Sequence, residues 1–174
     1  MLSSSSSSSA TTSSSSSSFP LPSSGGLGHG SNLRADANQA LQQLTGKPES
    51  FLSDAQFNVL ESLLARGKDT LLLTPTGWGK SMLLLLLPIL EPGLVTVVVV
   101  PLVALKDDIA RRARVGNVIV HVWDSSFQLS NFHRMKGQLL LVSVEELDIA
   151  SLDKLLDVLR WEHMLARVLI EEGH

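Results

Sequence analysis

Cysteine is absent from the 174 residues, which excludes disulfide staples and a thiolate metal site and fits an intracellular setting. Charge is missing from the start of the chain, where no Asp, Glu, Lys or Arg precedes Arg34. Residues 1 to about 32 are nearly all Ser, Thr, Gly and Pro, with too little apolar surface to offset the entropy cost of ordering. A disordered low-complexity tail, open to phosphorylation, is expected there. The same stretch lacks the basic start and apolar centre of a secretory signal and the early arginines of a mitochondrial presequence. No apolar run approaches the ~20 residues of a membrane span; the longest, Met82 to Leu90, reads as a buried helix. A net charge of −3 gives no general attraction to nucleic acid, so such binding would rest on local basic patches. What is present is a hydrophobic content of 44%, enough for one domain with a real core.

The chain is organised around residues 70–81, in which the apolar run Leu71-Leu72-Leu73 leads into Thr74-Pro75-Thr76-Gly77-Trp78-Gly79-Lys80-Ser81. A strand, a glycine turn closed by Lys-Ser and an apolar helix are the parts of a nucleoside triphosphate loop. Gly77 and Gly79 let successive N–H groups turn inward around an anion, together with Thr76 and Trp78. Lys80 brings an ammonium to the phosphates, and Ser81 offers a hydroxyl to Mg²⁺. The helix dipole points its positive end at the same place. Thr74 stands where the strict pattern has its first glycine.

Around this loop the chain alternates between helical and extended patterns. A short helix is expected from Ala35 to Leu44, ended by Gly46 and Pro48, ahead of a folded part that starts near Phe51. Ser53-Asp54-Ala55-Gln56 has capping-box spacing, with Phe57, Leu60 and Leu64 on one helical face. Gln56 therefore has two readings: a cap that reaches back to Ser53, or an amide that pairs with adenine N6 and N7 beside a stacking Phe51. Local sequence favours the cap. Further on, a helix from Lys80 is expected to end at Pro88, and a strand to run from Leu94 to Val100. A helix follows from Pro101 to Arg114, with Asp107 and Asp108 early and Arg111, Arg112 and Arg114 late. Strands are expected at Asn117 to Val122, Gln138 to Val142 and Arg167 to Ile170, and helix caps at Ser143 and Ser151. The polar segment Ser125 to Lys136 carries Phe127, Phe132, His133, Arg134 and Lys136; inward-facing aromatics are favoured there over stacking on single-stranded nucleic acid. His163 reads as a surface residue.

Such alternation implies an α/β fold with a parallel sheet, flanking helices and ligands at the carboxyl ends of the strands. In that arrangement Glu171 and Glu172, at the end of the last strand, approach the phosphate loop. Glu171 is the candidate to hold Mg²⁺, and Glu172 the candidate to orient the attacking water.

The order of these segments resembles superfamily two helicases, in the flavour of the RecQ-like DNA helicases. The resemblance rests on Gln56, the loop Thr74 to Ser81, Pro101 to Asp108, Leu141 to Leu147 and Arg167 to His174, and it spans roughly Phe51 to His174. It implies a RecA-like domain that binds ATP and Mg²⁺, with Gln56 reading adenine, Thr76 to Ser81 holding phosphate, Ser81 and Glu171 at the metal, and Lys80 and Glu172 in catalysis. It also implies contact of the Pro101 and Ser143 segments with single-stranded or duplex DNA, and a nuclear setting. The family usually has Asp-Glu-Ala-His where this chain has Glu171-Glu172-Gly173-His174, and a small residue where Trp78 stands, whose ring must then point away from the nucleotide. By the same resemblance the second motor domain, its arginine finger and the strand that lies between the phosphate-loop and acidic strands all come later than His174. The expectation is half a motor, able to bind nucleotide without turning it over. A small phosphate-loop phosphotransferase and a non-catalytic interaction fragment remain as alternatives.

Overall fold

The computed structural model describes residues 30–171 except 66, 68, 125, 126, 128, 133 and 147. Most of the Ser-rich stretch, His133, and Glu172, Gly173 and His174 lie outside the described residues.

The centre of the molecule is the run Val95–Val100, strand β1, in which every residue is buried. A strand made almost wholly of valine has no polar face to show to water, and it needs cover on both sides. It pairs in parallel with Gln138–Ser143 on one side and Leu165–Ile170 on the other. Numbered along the chain, Ile119–Val122 is β2, Gln138–Ser143 β3 and Leu165–Ile170 β4, and the sheet order is β2-β3-β1-β4. The four strands are all parallel, as the alternating pattern implies.

Alternate residues of β1 and β3 feed two cores. Val98, Val100, Leu139 and Leu141 face Leu84 and Leu85 of helix α3 (Lys80–Leu90) and Ile109 and Ala113 of helix α4 (Val103–Val115). Val97, Val99, Leu140 and Val142 face Leu152, Leu155 and Leu159 of the helix Ile149–Trp161. A third cluster lies outside α3, against helix α1 (Gly30–Thr45) and helix α2 (Asp54–Leu64); the helix Ile149–Trp161 is accordingly α5. Fully burying one Leu contributes roughly 1.5–3 kcal/mol, so the all-buried stretch Leu83 to Leu87 explains why α3 is the hub of the helical layer.

Several elements differ from their sequence expectation, each for a local reason. Helix α1 is longer than Ala35 to Leu44 and is packed into the body, with Ala37, Ala40 and Leu41 buried. It is tied to α2 by Arg34, which pairs with Asp54 at 2.6 Å and lies over the Phe57 ring, and to the segment before α2 by Asn38, which accepts from the Leu52 N–H. Helix α3 does not stop at Pro88 but carries it inside, running on to Leu90. Its last turn is closed by Glu91 N–H donating to Leu87 O, and burial on all sides outweighs the one bond that proline cannot make.

Ser143 ends β3 instead of capping a helix; the chain then makes a single 3₁₀ turn, and the Ser143 hydroxyl is buried with no hydrogen-bond partner among the described residues. The cap of α5 is Asp148, not Ser151. The Asp148 carboxylate accepts from the Ala150 N–H and the Ser151 hydroxyl, and the Ser151 bond leads the contributions that hold its pKa below the usual carboxylate range. Phe127 and Phe132 pack inward around His121 and Trp123, as favoured from the sequence. His163 is exposed at positive φ, just past the end of α5.

The largest departure concerns the apolar run before the phosphate loop. Residues 69–75 form no strand, and Leu71 and Leu73 are 85% and 82% exposed. Hydrophobicity supplied the strand signal, but an isolated extended segment has no ladder to join: β4 is the nearest sheet edge, and a cleft separates the two.

Candidate nucleotide site

The loop 74–79 enters α3 through two glycines that only glycine suits. Gly77 has φ 77° and Gly79 φ 103°, values that cost an L-residue through its Cβ. A Cβ on Gly79 would also lie 2.8 Å from Gln56 Nε2, whereas one on Gly77 would meet open space. Gly77 is thus needed for its turn, and Gly79 for its turn and for a close approach.

Gly79 is the N-cap of α3 and supplies no side-chain cap, so the positive end of an eleven-residue helix opens toward the loop. Lys80 Nζ donates to the Thr74 carbonyl at 3.0 Å, which holds its ammonium across the loop's mouth. Ser81 comes next in the first turn, half-buried. A concave turn, an open helix start and a bridging ammonium form a ready anion site. Its chemistry fits a triphosphate, with the Ser81 hydroxyl as oxygen donor for a hard cation.

Gln56 makes the complete capping box: its Oε1 accepts from Ser53 N–H at 3.0 Å and its backbone N–H donates to Ser53 Oγ at 3.2 Å. The same amide donates from Nε2 to the Trp78 carbonyl at 2.9 Å. Cap and loop are therefore joined by one side chain, a link that no spacing rule could find. Trp78 turns its ring into the α1–α2–α3 cluster, away from the mouth of the loop, which is how a bulky residue is accommodated here.

Glu171 begins where β4 ends, its N–H donating to Val99 O at 2.8 Å. It lines the same cleft as Lys80 and Thr74. That cleft holds about 950 Å³ and runs from the loop down the whole of β4, well beyond the phosphate end. Glu172 lies outside the described residues. Thr76, Gly77, Trp78, Gly79, Lys80 and Ser81 are brought together by the turn, Gln56 joins them through Trp78, and Glu171 stands across the cleft.

A feature missed in the sequence is the buried pair at the far end of the sheet. Arg167 donates to both Glu91 carboxylate oxygens, the Nη2–Oε1 contact being 2.8 Å, and to Thr96 Oγ1 at 3.2 Å. The side chains are 10% and 8% exposed. The pair ties the end of α3 to the start of β4 and braces the two elements that carry Ser81 and Glu171. The signal for it was a lone charge in each of two apolar runs, since such charges are rarely buried unpaired.

Fold and loop together define a parallel α/β domain with a glycine turn, suited to an anion, at the uncapped head of its central helix. Residues 53–169 match the model of the DEAD/DEAH box helicase family. The chain belongs to that family, which makes it a superfamily two helicase domain of the ATP-binding kind. A comparison with curated proteins finds no match.

Proposed function

We propose that the chain binds Mg-ATP at residues 74–81 and contacts single-stranded DNA along the carboxyl ends of β1 and β3, in the manner of a RecQ-like DNA helicase acting in the nucleus. The observation that carries the nucleotide half is the loop itself: two left-handed glycines at the uncapped start of α3, with Lys80 bridging to Thr74. Lys80 and the first N–H groups of α3 would hold phosphate, and Ser81 and Glu171 would face the metal, which supplies charge neutralisation on the phosphates. Glu172 keeps its proposed role of orienting water.

Gln56 retains capacity to read a base. A carboxamide offers two donors and two acceptor pairs, and one of each is used by Trp78 O and Ser53 N. The spare donor and acceptor suit adenine N7 and N6, and Phe51, 65% exposed, stands five residues before it as a stacking face. For the DNA half, Val100 and Ser143 are directly paired, so the segments that leave them are neighbours at one edge of the sheet. Leu102 and Val144 are exposed there, and α4 starts beside them. Neighbouring loops over a helix start suit a sugar-phosphate backbone.

Titration of a fluorescent ATP analogue tests the reading. Lys80→Ala and Ser81→Ala are each expected to abolish magnesium-dependent binding, and unchanged affinity in both would overturn the phosphate-loop assignment. Anisotropy of labelled single-stranded DNA against labelled duplex tests the second half.

A further inference from the structure

Lys80, Leu83 and Leu84 turn one face of α3 to the cleft beside the loop, while Met82 and Leu85 project from the other face. There they floor a second pocket of about 160 Å³, walled by Leu44 from the end of α1 and by Val115 from the last turn of α4. Ser81 adds a single hydroxyl. Gly116 fixes the wall: a Cβ there would run into Leu44 Cδ2, so α1 and the end of α4 meet with no side chain between them. Leu44 and Leu85 both pack into the core that joins α3 and α4 to the sheet, so the pocket is preformed. Its mouth is cationic. Arg111 and Arg112 line it and share one carboxylate, Arg111 Nη2 donating to Asp108 Oδ1 and Arg112 Nε to Asp108 Oδ2 at 2.8 Å. A guanidinium has five N–H donors and a carboxylate neutralises only one of the two, so positive charge and spare donors remain at the rim. No Asp or Glu lines the pocket among the described residues, and Arg114 adds charge in the same last turn of α4.

We propose that this pocket docks an acidic peptide of a partner protein through one phenylalanine side chain, with the peptide's carboxylates on Arg111 and Arg112. Size, lining and charge each select that occupant. An apolar cavity of about 150 Å³ is enough for a benzene ring. The Met82 thioether suits the edge of such a ring, and a guanidinium plane stacks on its face. Arginine then holds the flanking carboxylates by charge-assisted bonds. A nucleic-acid strand would satisfy the arginines with phosphate but has no comparable apolar group for the floor, and a base seated there would find one hydroxyl to answer its polar edge. The anchor supplies affinity and the rim charges supply selectivity and attraction at a distance. The site is on the far face of α3 from the cleft, and its occupancy does not depend on the nucleotide reading.

The test is fluorescence anisotropy on the full chain without nucleotide, with the labelled peptide Gly-Asp-Glu-Phe-Glu-Asp-Gly. Two controls carry alanine for the phenylalanine, or asparagine and glutamine for the four acids, and each should bind at least about tenfold more weakly. Val115 is 80% exposed, so Val115→Asp spares the fold while setting a carboxylate at the rim; it should weaken the first peptide by a similar factor, with the urea midpoint unchanged. Asp108→Asn frees both guanidiniums from their internal partner and should tighten the same peptide about two- to fivefold. No binding at the highest soluble peptide concentration would overturn the proposal, as would full affinity in Val115→Asp. Equal binding of the alanine peptide would mean adhesion by charge with no anchor, and no gain in Asp108→Asn would remove Arg111 and Arg112 as the carboxylate partners; either result overturns it. A labelled dodecathymidine strand that displaces the peptide and is itself weakened by Val115→Asp would identify nucleic acid as the occupant and overturn the commitment to a peptide.

Discussion

Gln56 shows how much one side chain carries in this site. It caps α2, holds the Trp78 carbonyl and keeps Gly79 from bearing a side chain. The capping role was legible from Ser-x-x-Gln spacing alone; the bond to Trp78 was not, because no local pattern reports a contact across twenty-two positions. Loss of both side-chain bonds in Gln56→Ala is expected to lower stability by about 1–2 kcal/mol, and to weaken binding of an ATP analogue because the loop loses its tie. Gln56→Glu separates the two functions. It keeps an acceptor for the Ser53 N–H but sets a carboxylate against the Trp78 carbonyl, so nucleotide affinity should fall more than the urea midpoint does. If affinity survives both changes while stability drops, Gln56 is a cap and nothing more.

At the scale of elements, the parallel sheet was legible because β1 is a continuous β-branched run, buried throughout, and shorter apolar stretches alternate with helical patterns after it. Helix α3 was legible in its start but not its end, since burial of Leu83 to Leu87 carries it past Pro88. The run Leu71 to Leu73 misled for the opposite reason: it has strand composition, and pairing is decided by what lies beside it. The brace between α3 and β4 is a further non-local term. Arg167→Met leaves the Glu91 carboxylate buried without its partner, and breaking such a pair costs about 3–5 kcal/mol. Urea denaturation should show a loss in that range for the single variant. Arg167→Met with Glu91→Leu should recover most of it, because no stranded charge remains. Equal losses in the single and double variants would mean that the geometry of the bond, not the desolvated charge, is what matters.

For the whole molecule, the question is whether the two halves of the site meet well enough to hydrolyse ATP. Lys80 and Ser81 ride on α3, while Glu171 rides on β4, and the run 69–75 is laddered to no strand among the described residues. What couples the halves is the packing of α3 on the sheet and the Glu91–Arg167 brace at the opposite end. A misplacement of about 1 Å can cost roughly a hundredfold in rate. Transition-state charge on a transferring phosphoryl group is commonly met by an arginine worth on the order of 10³–10⁵; the guanidinium that lines this cleft among the described residues, Arg167, is held by Glu91. Binding should therefore outrun chemistry. In a steady-state phosphate-release assay the chain is expected to turn over ATP at the level of its Lys80→Ala and Glu172→Gln variants, with or without single-stranded DNA, while still binding the nucleotide analogue. DNA-stimulated release that disappears in Glu172→Gln would show that the open cleft does not separate the halves, and that the acids reach the phosphates across it.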